Sequence, residues 1–181
     1  DKFSTKAMVK YAYYVTRYVN NDETQIHVDN TYRQQELYFS TSNVYEILPK
    51  WSVSMSYDFK WNKLNANMVD FAFPHRYSNF ISLATALTLS RIQMQASVVE
   101  QVVKDHVQFG ASSPSRHTLT PAFFVNVYPF DDKLLSVRAF AKKSFRMPTF
   151  NDLYYADMGN SKLNPESAMQ YDLGFVLDKE W

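Results

Sequence analysis

The most regular stretch of the chain runs from Trp51 to Asn62. Trp51, Val53, Met55, Tyr57, Phe59 and Trp61 fall on one parity, and Ser52, Ser54, Ser56, Asp58, Lys60 and Asn62 on the other. Strict period-two alternation predicts a strand with one apolar and one polar face, because a helix would scatter the same residues around its circumference. The pattern recurs with varying clarity. Between Gln35 and Ile47, Leu37, Phe39, Thr41, Tyr45 and Ile47 oppose Glu36, Tyr38, Ser40, Ser42 and Glu46, with Asn43 a polar intruder on the apolar side. Ile81, Leu83, Leu87 and Leu89 alternate with small or polar residues, as do Ile92, Met94, Ala96 and Val98. Leu119, Phe123, Val125 and Val127 behave likewise. Leu135, Val137, Ala139 and Ala141 follow, then Met169, Tyr171, Leu173, Phe175 and Leu177. A noisier run through Ala7, Val9, Tyr11, Tyr13 and Val15 makes eight predicted strands. Two qualify the pattern: Ile92 to Lys104 also fits a helical face through Ala96, Val99 and Val103, with strand preferred. Pro121 cannot donate to a ladder and marks a bulge or strand edge.

The expected connections alternate in length. Leu48–Lys50, Ser90 and Tyr128–Asp132 are tight, whereas the stretches 19–33, 65–77, 106–116 and 147–165 are long and polar. This is the signature of an antiparallel up-and-down sheet crossing a bilayer, each strand supplying the roughly ten residues a tilted crossing needs. A soluble β-sandwich alternates too, with its apolar face turned to a core. Trp51 and Trp61 at opposite ends of one strand suit two interfacial girdles, and the Ser, Thr, Gln, Asp, Lys and Arg parities suit a wet lumen.

Composition narrows the classes. Aromatics make up 17% of the 181 residues, with 13 Tyr and 14 Phe against three Gly, which favours strands over helices. Lys plus Arg (19) nearly balance Asp plus Glu (18), so nothing draws the whole chain to nucleic acid. With no Cys, disulfides, thiolate metal sites and cysteine nucleophiles are excluded. No apolar run approaches a membrane-spanning helix and no secretory leader is recognisable at the start, neither of which bears against a membrane β-barrel.

One segment carries a motif. It reads Phe145-Arg146-Met147-Pro148-Thr149, then Leu153-Tyr154, then Gly159-Asn160, Leu163, Pro165-Glu166, and finally Tyr171-Asp172-Leu173-Gly174. Pro148 ends a ladder, Gly159-Asn160 is a turn dipeptide, and Pro165-Glu166 restarts an extended run. The ordered set resembles TonB-dependent outer-membrane receptors, with Met147, Asn164 and Asp172 standing where Ala, Lys and Glu are commoner. About 30 residues carry the resemblance. It implies that residues 1–181 are part of an outer-membrane β-barrel of a Gram-negative bacterium, about a third of a 22-stranded wall. The plug domain and the TonB-contacting segment would lie upstream. It also implies uptake of a bulky, scarce nutrient such as siderophore-bound iron, haem or cobalamin, with outer-membrane lipid, the nutrient and TonB as partners. Arg146 and Glu166 are expected to anchor the loop, and Phe145, Leu153 and Tyr154 to pack its base. An isolated piece of such a wall is expected to self-associate.

No catalytic constellation or cofactor site is evident. Ser113, Ser115 and His117 are close in sequence, without the strand–turn–helix elbow of a hydrolase serine. The isolated glycines form no phosphate loop. His27, His75 and His106 fall in expected long loops and His117 borders one, on the side where a ligand would first dock. They are read as solvated loop residues, with extracellular ligand contact as the sharper possibility. A self-contained eight-stranded membrane barrel and a soluble β-sandwich binding module are the two other readings the alternation allows.

Overall fold

The computed structural model describes residues 2–20, 28–131, 133–155 and 159–178. Eight strands lie in one sheet in chain order: β1 (Phe3–Asn20), β2 (Val28–Leu48), β3 (Trp51–Ala66), β4 (His75–Thr88), β5 (Ile92–His106), β6 (Arg116–Val127), β7 (Leu135–Arg146) and β8 (Glu166–Leu177), with a short helix, α1 (Phe150–Tyr154), before β8. Every neighbouring pair is antiparallel. The all-β meander expected from the alternation is therefore what forms, and the ambiguous stretch from Ile92 is strand. Pro121 stays in register with Val98 on β5, and the β6–β7 ladder begins one residue later at Ala122 opposite Lys142. The missing donor thus falls where pairing with β7 stops.

The two other architectures do not form. β1 and β8 stand at opposite ends of the strand order, so these strands do not close into an eight-stranded barrel, and one sheet is not the two layers of a sandwich. Strand lengths also need correction. They run from 12 to 21 residues, and β1 and β2 reach 18 and 21. Much of the loop expected over 19–33 is therefore ladder, and that expected over 65–77 is shorter because β3 runs to Ala66 and β4 starts at His75. The added length is held by polar pairs. Arg17 donates two hydrogen bonds to Asp29 at 2.7 and 2.6 Å, and Asn67 donates to the Asp29 carbonyl at 3.0 Å. Where both faces are wet, hydrophobic alternation loses its contrast and cannot mark a strand.

The register sorts side chains onto two faces. On one, Phe39 lies opposite Phe59, Leu37 opposite Trp61, Trp61 opposite Tyr77, and Phe123 opposite Ala141. Trp51 and Trp61 are on this face. Their separation is about 33 Å of strand, which at a tilt of about 40° rises about 25 Å, the height of the apolar band of an outer-membrane barrel. The polar intruders on this face are paired across strands. Thr5 donates to Asn43 at 2.9 Å, and the Tyr57 hydroxyl to Asn79 at 2.8 Å. Such pairing removes the cost of a lone polar group on an apolar face. The opposite face carries Glu36 between Lys10 (3.4 Å) and Lys60 (2.8 Å), with Asn62 donating to it at 3.1 Å, and Tyr38 donating to Asp58.

A one-layer sheet has no core between layers. The buried apolar side chains gather instead at the long-connection end, on the polar face, where Tyr32, Leu64 and Phe71 meet Phe150, Leu153 and Tyr154.

Candidate functional site

That cluster is built by the segment after β7. Pro148 is buried and cannot continue the ladder, so the chain leaves the wall. Thr149, extended at φ −74° and ψ 169°, caps α1. Its hydroxyl accepts from the Asp152 backbone N–H, while Asp152 accepts from the Thr149 N–H at 2.8 Å. This reciprocal pair satisfies donors at the start of the single helical turn. The Thr149 N–H and hydroxyl both hold the Asp152 carboxyl below the ordinary carboxylate range. The turn buries Phe150, Leu153 and Tyr154 against the wall, and Tyr155 stacks on Tyr32 with centroids 4.1 Å apart and planes 7° from parallel. The chain then doubles back. Gly159 donates to the Tyr155 carbonyl at 2.8 Å, and Asn160 to that of Asp152 at 2.9 Å. A Cβ at Gly159 would sit 2.7 Å from the Tyr154 nitrogen, so only glycine allows this approach.

Beneath the turn is a buried ion pair. Arg76 on β4 and Asp105 on β5 are register partners and form a two-pronged pair at 2.7 and 2.8 Å, with the Asp105 side chain fully buried. The remaining capacity of both is used by the loops. Arg76 donates to the Pro148 carbonyl at 2.7 Å, and its guanidinium lies 5.0 Å from the centre of the Phe150 ring. The Tyr154 hydroxyl donates to Asp105 at 2.8 Å and accepts from the Ser113 N–H at 2.9 Å. Burial, with the Asp105 charge beside it, pushes the Tyr154 hydroxyl well above the usual tyrosine range, so it acts as a donor at any physiological pH. One guanidinium and one carboxylate thus tie two strands to the 107–115 connection and to the segment after β7.

The other motif residues take different places. Arg146 stands opposite Glu166, 3.6 Å apart and exposed, a pairing worth about 0–1 kcal/mol. Phe145 lies on the apolar face, Leu163 is exposed beside Pro165, and Arg116 donates to Asn164 at 3.0 Å. Gly174 is opposite Arg138, and a Cβ there would come within 3.1 Å of the Arg138 Nε, so the glycine leaves room for that side chain. The three histidines among the described residues sit in strands, not in loops. His75 begins β4, His106 ends β5 and His117 is the second residue of β6, all three on the apolar parity and so facing away from α1. The strand ends that carry them, with Arg76, Lys104, Asp105 and Arg116 beside them, are polar, which hid them from the alternation. His27 lies outside the described residues.

Arg76, Asp105 and Thr149 with Asp152 are contributions the alternation did not anticipate. The first two fell in or beside an expected loop. A Thr-x-x-Asp spacing after Pro148 is a helix-start signal. Hollows flank the turn: one of about 310 Å³ is bordered by Lys60, Asn62, Arg76 and Thr149, and another of the same size by Phe71, Phe109 and Tyr155. A larger one, about 580 Å³, lies at the other end of the wall over Ser52, Ser54, Ala84, Ser97, Phe124 and Phe140. No cluster of three or more metal-ligating side chains occurs among the described residues.

A polar face that receives an inward-folded loop and an apolar face with two aromatic rims describe a piece of barrel wall. The family description "TonB dependent receptor-like, beta-barrel" matches residues 11–181. The chain belongs to the TonB-dependent receptor β-barrel family. It is similar to the vitamin B12 transporter BtuB of Photobacterium profundum, 49% identical over 39 residues, 22% of this chain and 6% of BtuB. Its fold is similar to that of the copper transporter OprC, with a TM-score of 0.67 at 14% identity over 97% of this chain and 34% of OprC. The chain therefore spans about a third of the length of OprC, and its likeness to BtuB is local.

Proposed function

We propose that this chain is a stretch of wall in an outer-membrane receptor of a Gram-negative bacterium, taking up a bulky, scarce nutrient with energy supplied through TonB. The observation that carries this reading is the loop after β7. In a chain of this family, it folds onto the polar face through Arg76, Asp105 and Tyr154 while the aromatic face turns the other way. A plug domain and a TonB-contacting segment would be supplied by the rest of a longer parent polypeptide. Outer-membrane lipid would cover the apolar face. The role is passage and not catalysis, a reading supported by membership of a receptor family.

Cargo of the siderophore-iron, haem or cobalamin type suits such a wall, and the local likeness to a vitamin B12 transporter makes a corrinoid the first to try. The test is uptake of labelled cyanocobalamin, haem and ferric siderophore by cells with and without the full-length gene, each with TonB intact or deleted. Loss of uptake of one cargo on deleting either gene is the expected result. Unchanged uptake of every one of these cargoes would refute the proposal.

A further inference from the structure

Above the Trp61 and Tyr77 rings the outward face changes character. Lys63, His75 and His106 stand side by side across β3, β4 and β5, and Lys104 lies opposite Tyr77 in the row below. Arg33 is diagonal to Lys63, since Arg33 pairs with Asn65 and Lys63 with Gln35. The His75 ring is 6.0 Å from Trp61, and the His106 ring 6.0 Å from Tyr77. Basic side chains from four consecutive strands therefore share one patch on an aromatic floor.

Among the described residues no carboxylate neutralises it. Arg33, Lys63 and Lys104 form no ion pair among the described residues. Asp29 on this face is taken by Arg17 at 2.6 Å, and Glu100, two outward positions below Lys104, is taken by His117 at 2.7 Å. Glu36 and Asp105 belong to the opposite face and are committed there. Like charges placed opposite one another repel, so counter-charge beside the patch stabilises it. Its height supplies the source. Aromatic rims mark the boundary of the hydrocarbon, and the next residues outward lie at the level of lipid headgroups.

We infer that Arg33, Lys63, His75, Lys104 and His106 form a docking site for the phosphate headgroup of an anionic lipid in the outer leaflet. The Lys ammonium groups supply charge, the Arg33 guanidinium a fork matched to phosphate oxygens, and the imidazoles short N–H donors close to the rings. Lumenal cargo is not the occupant, because the patch is on the face away from α1. The inference rests on the membrane-barrel reading proposed above.

The test uses the full-length receptor reconstituted in phosphatidylcholine vesicles containing brominated phosphatidylcholine or brominated phosphatidylglycerol. Trp61 emission is obtained by difference from Trp61→Phe. Preferential quenching of Trp61 by the anionic lipid, by roughly fivefold per lysine, is expected. Near-equal quenching by the two lipids is expected in Lys63→Gln/Lys104→Gln, with the preference kept in Lys63→Arg/Lys104→Arg. A preference that survives the Gln pair, or that millimolar inorganic phosphate abolishes, would overturn the site while leaving the membrane reading intact. Absence of quenching of Trp51 and Trp61 by either lipid would overturn both. Resistance of the folded band to detergent on unheated gels shows that each variant is assembled, and if the Gln pair is not, the single Gln variants carry the same comparison.

Discussion

Arg76 is the residue on which the inner loops converge. Its pair with Asp105 is buried, so removing only the cation leaves a carboxylate without counter-charge and with only the Tyr154 hydroxyl as donor, a loss of about 3–5 kcal/mol. Arg76→Met in the full-length receptor is therefore expected to lower the midpoint of urea unfolding and to free the segment after β7. Pairing it with Asp105→Leu should restore most of the loss, because two apolar groups need no counter-charge. A single variant as stable as the parent would show that water reaches Asp105. Neither residue stood out in the sequence. Each is an ordinary charge on a polar parity near a strand end, and only the register makes them partners. The motif residues Pro148, Leu153 and Tyr154 were visible as a pattern, and their packing role follows from the turn that Thr149 and Asp152 start.

At the scale of elements, α1 is a single turn that cannot stand alone, since one turn fixes several dihedrals for little hydrogen bonding. It depends on its cap. The Asp152 carboxyl is held below its ordinary range by Thr149, so the folded loop favours the charged form. The stabilisation is then complete above the unfolded value near pH 4 and is lost as the pH falls through the lower folded value. A spin label at the exposed Asn151 should be immobile at pH 6 and gain mobility as the pH falls below about 4. Thr149→Ala should be mobile already at pH 6, and mobility independent of both changes would contradict the cap. The strands were legible where they cross the apolar band, because there the two faces differ. The ends were not: Arg17 near the end of β1 with Asp29 at the start of β2, and His75 and His106 at the rims, lie in wet surroundings on both sides, so period two carries no contrast. α1 was hidden for a different reason, being too short to have a periodicity.

For the whole molecule, the outcome of the alternation is a wall whose edges and outer face need partners. Tyr171, Leu173 and Phe175 on β8 are 73%, 71% and 74% exposed, and Val9 on β1 is 70% exposed. An isolated chain should self-associate in detergent-free buffer and disperse in detergent, which sedimentation velocity would resolve. A monodisperse monomer without detergent would count against the membrane reading. The more direct measurement is thiol labelling of β3 in the full-length receptor in cells, with single cysteines at Met55, Ser56, Tyr57, Asp58 and Phe59 and a water-soluble maleimide. This chain contributes no native cysteine to the background. Reaction at Ser56 and Asp58 with protection at Met55, Tyr57 and Phe59 is the result expected of a strand with one face in lipid and one in the lumen. Uniform reactivity, or the opposite parity, would contradict it.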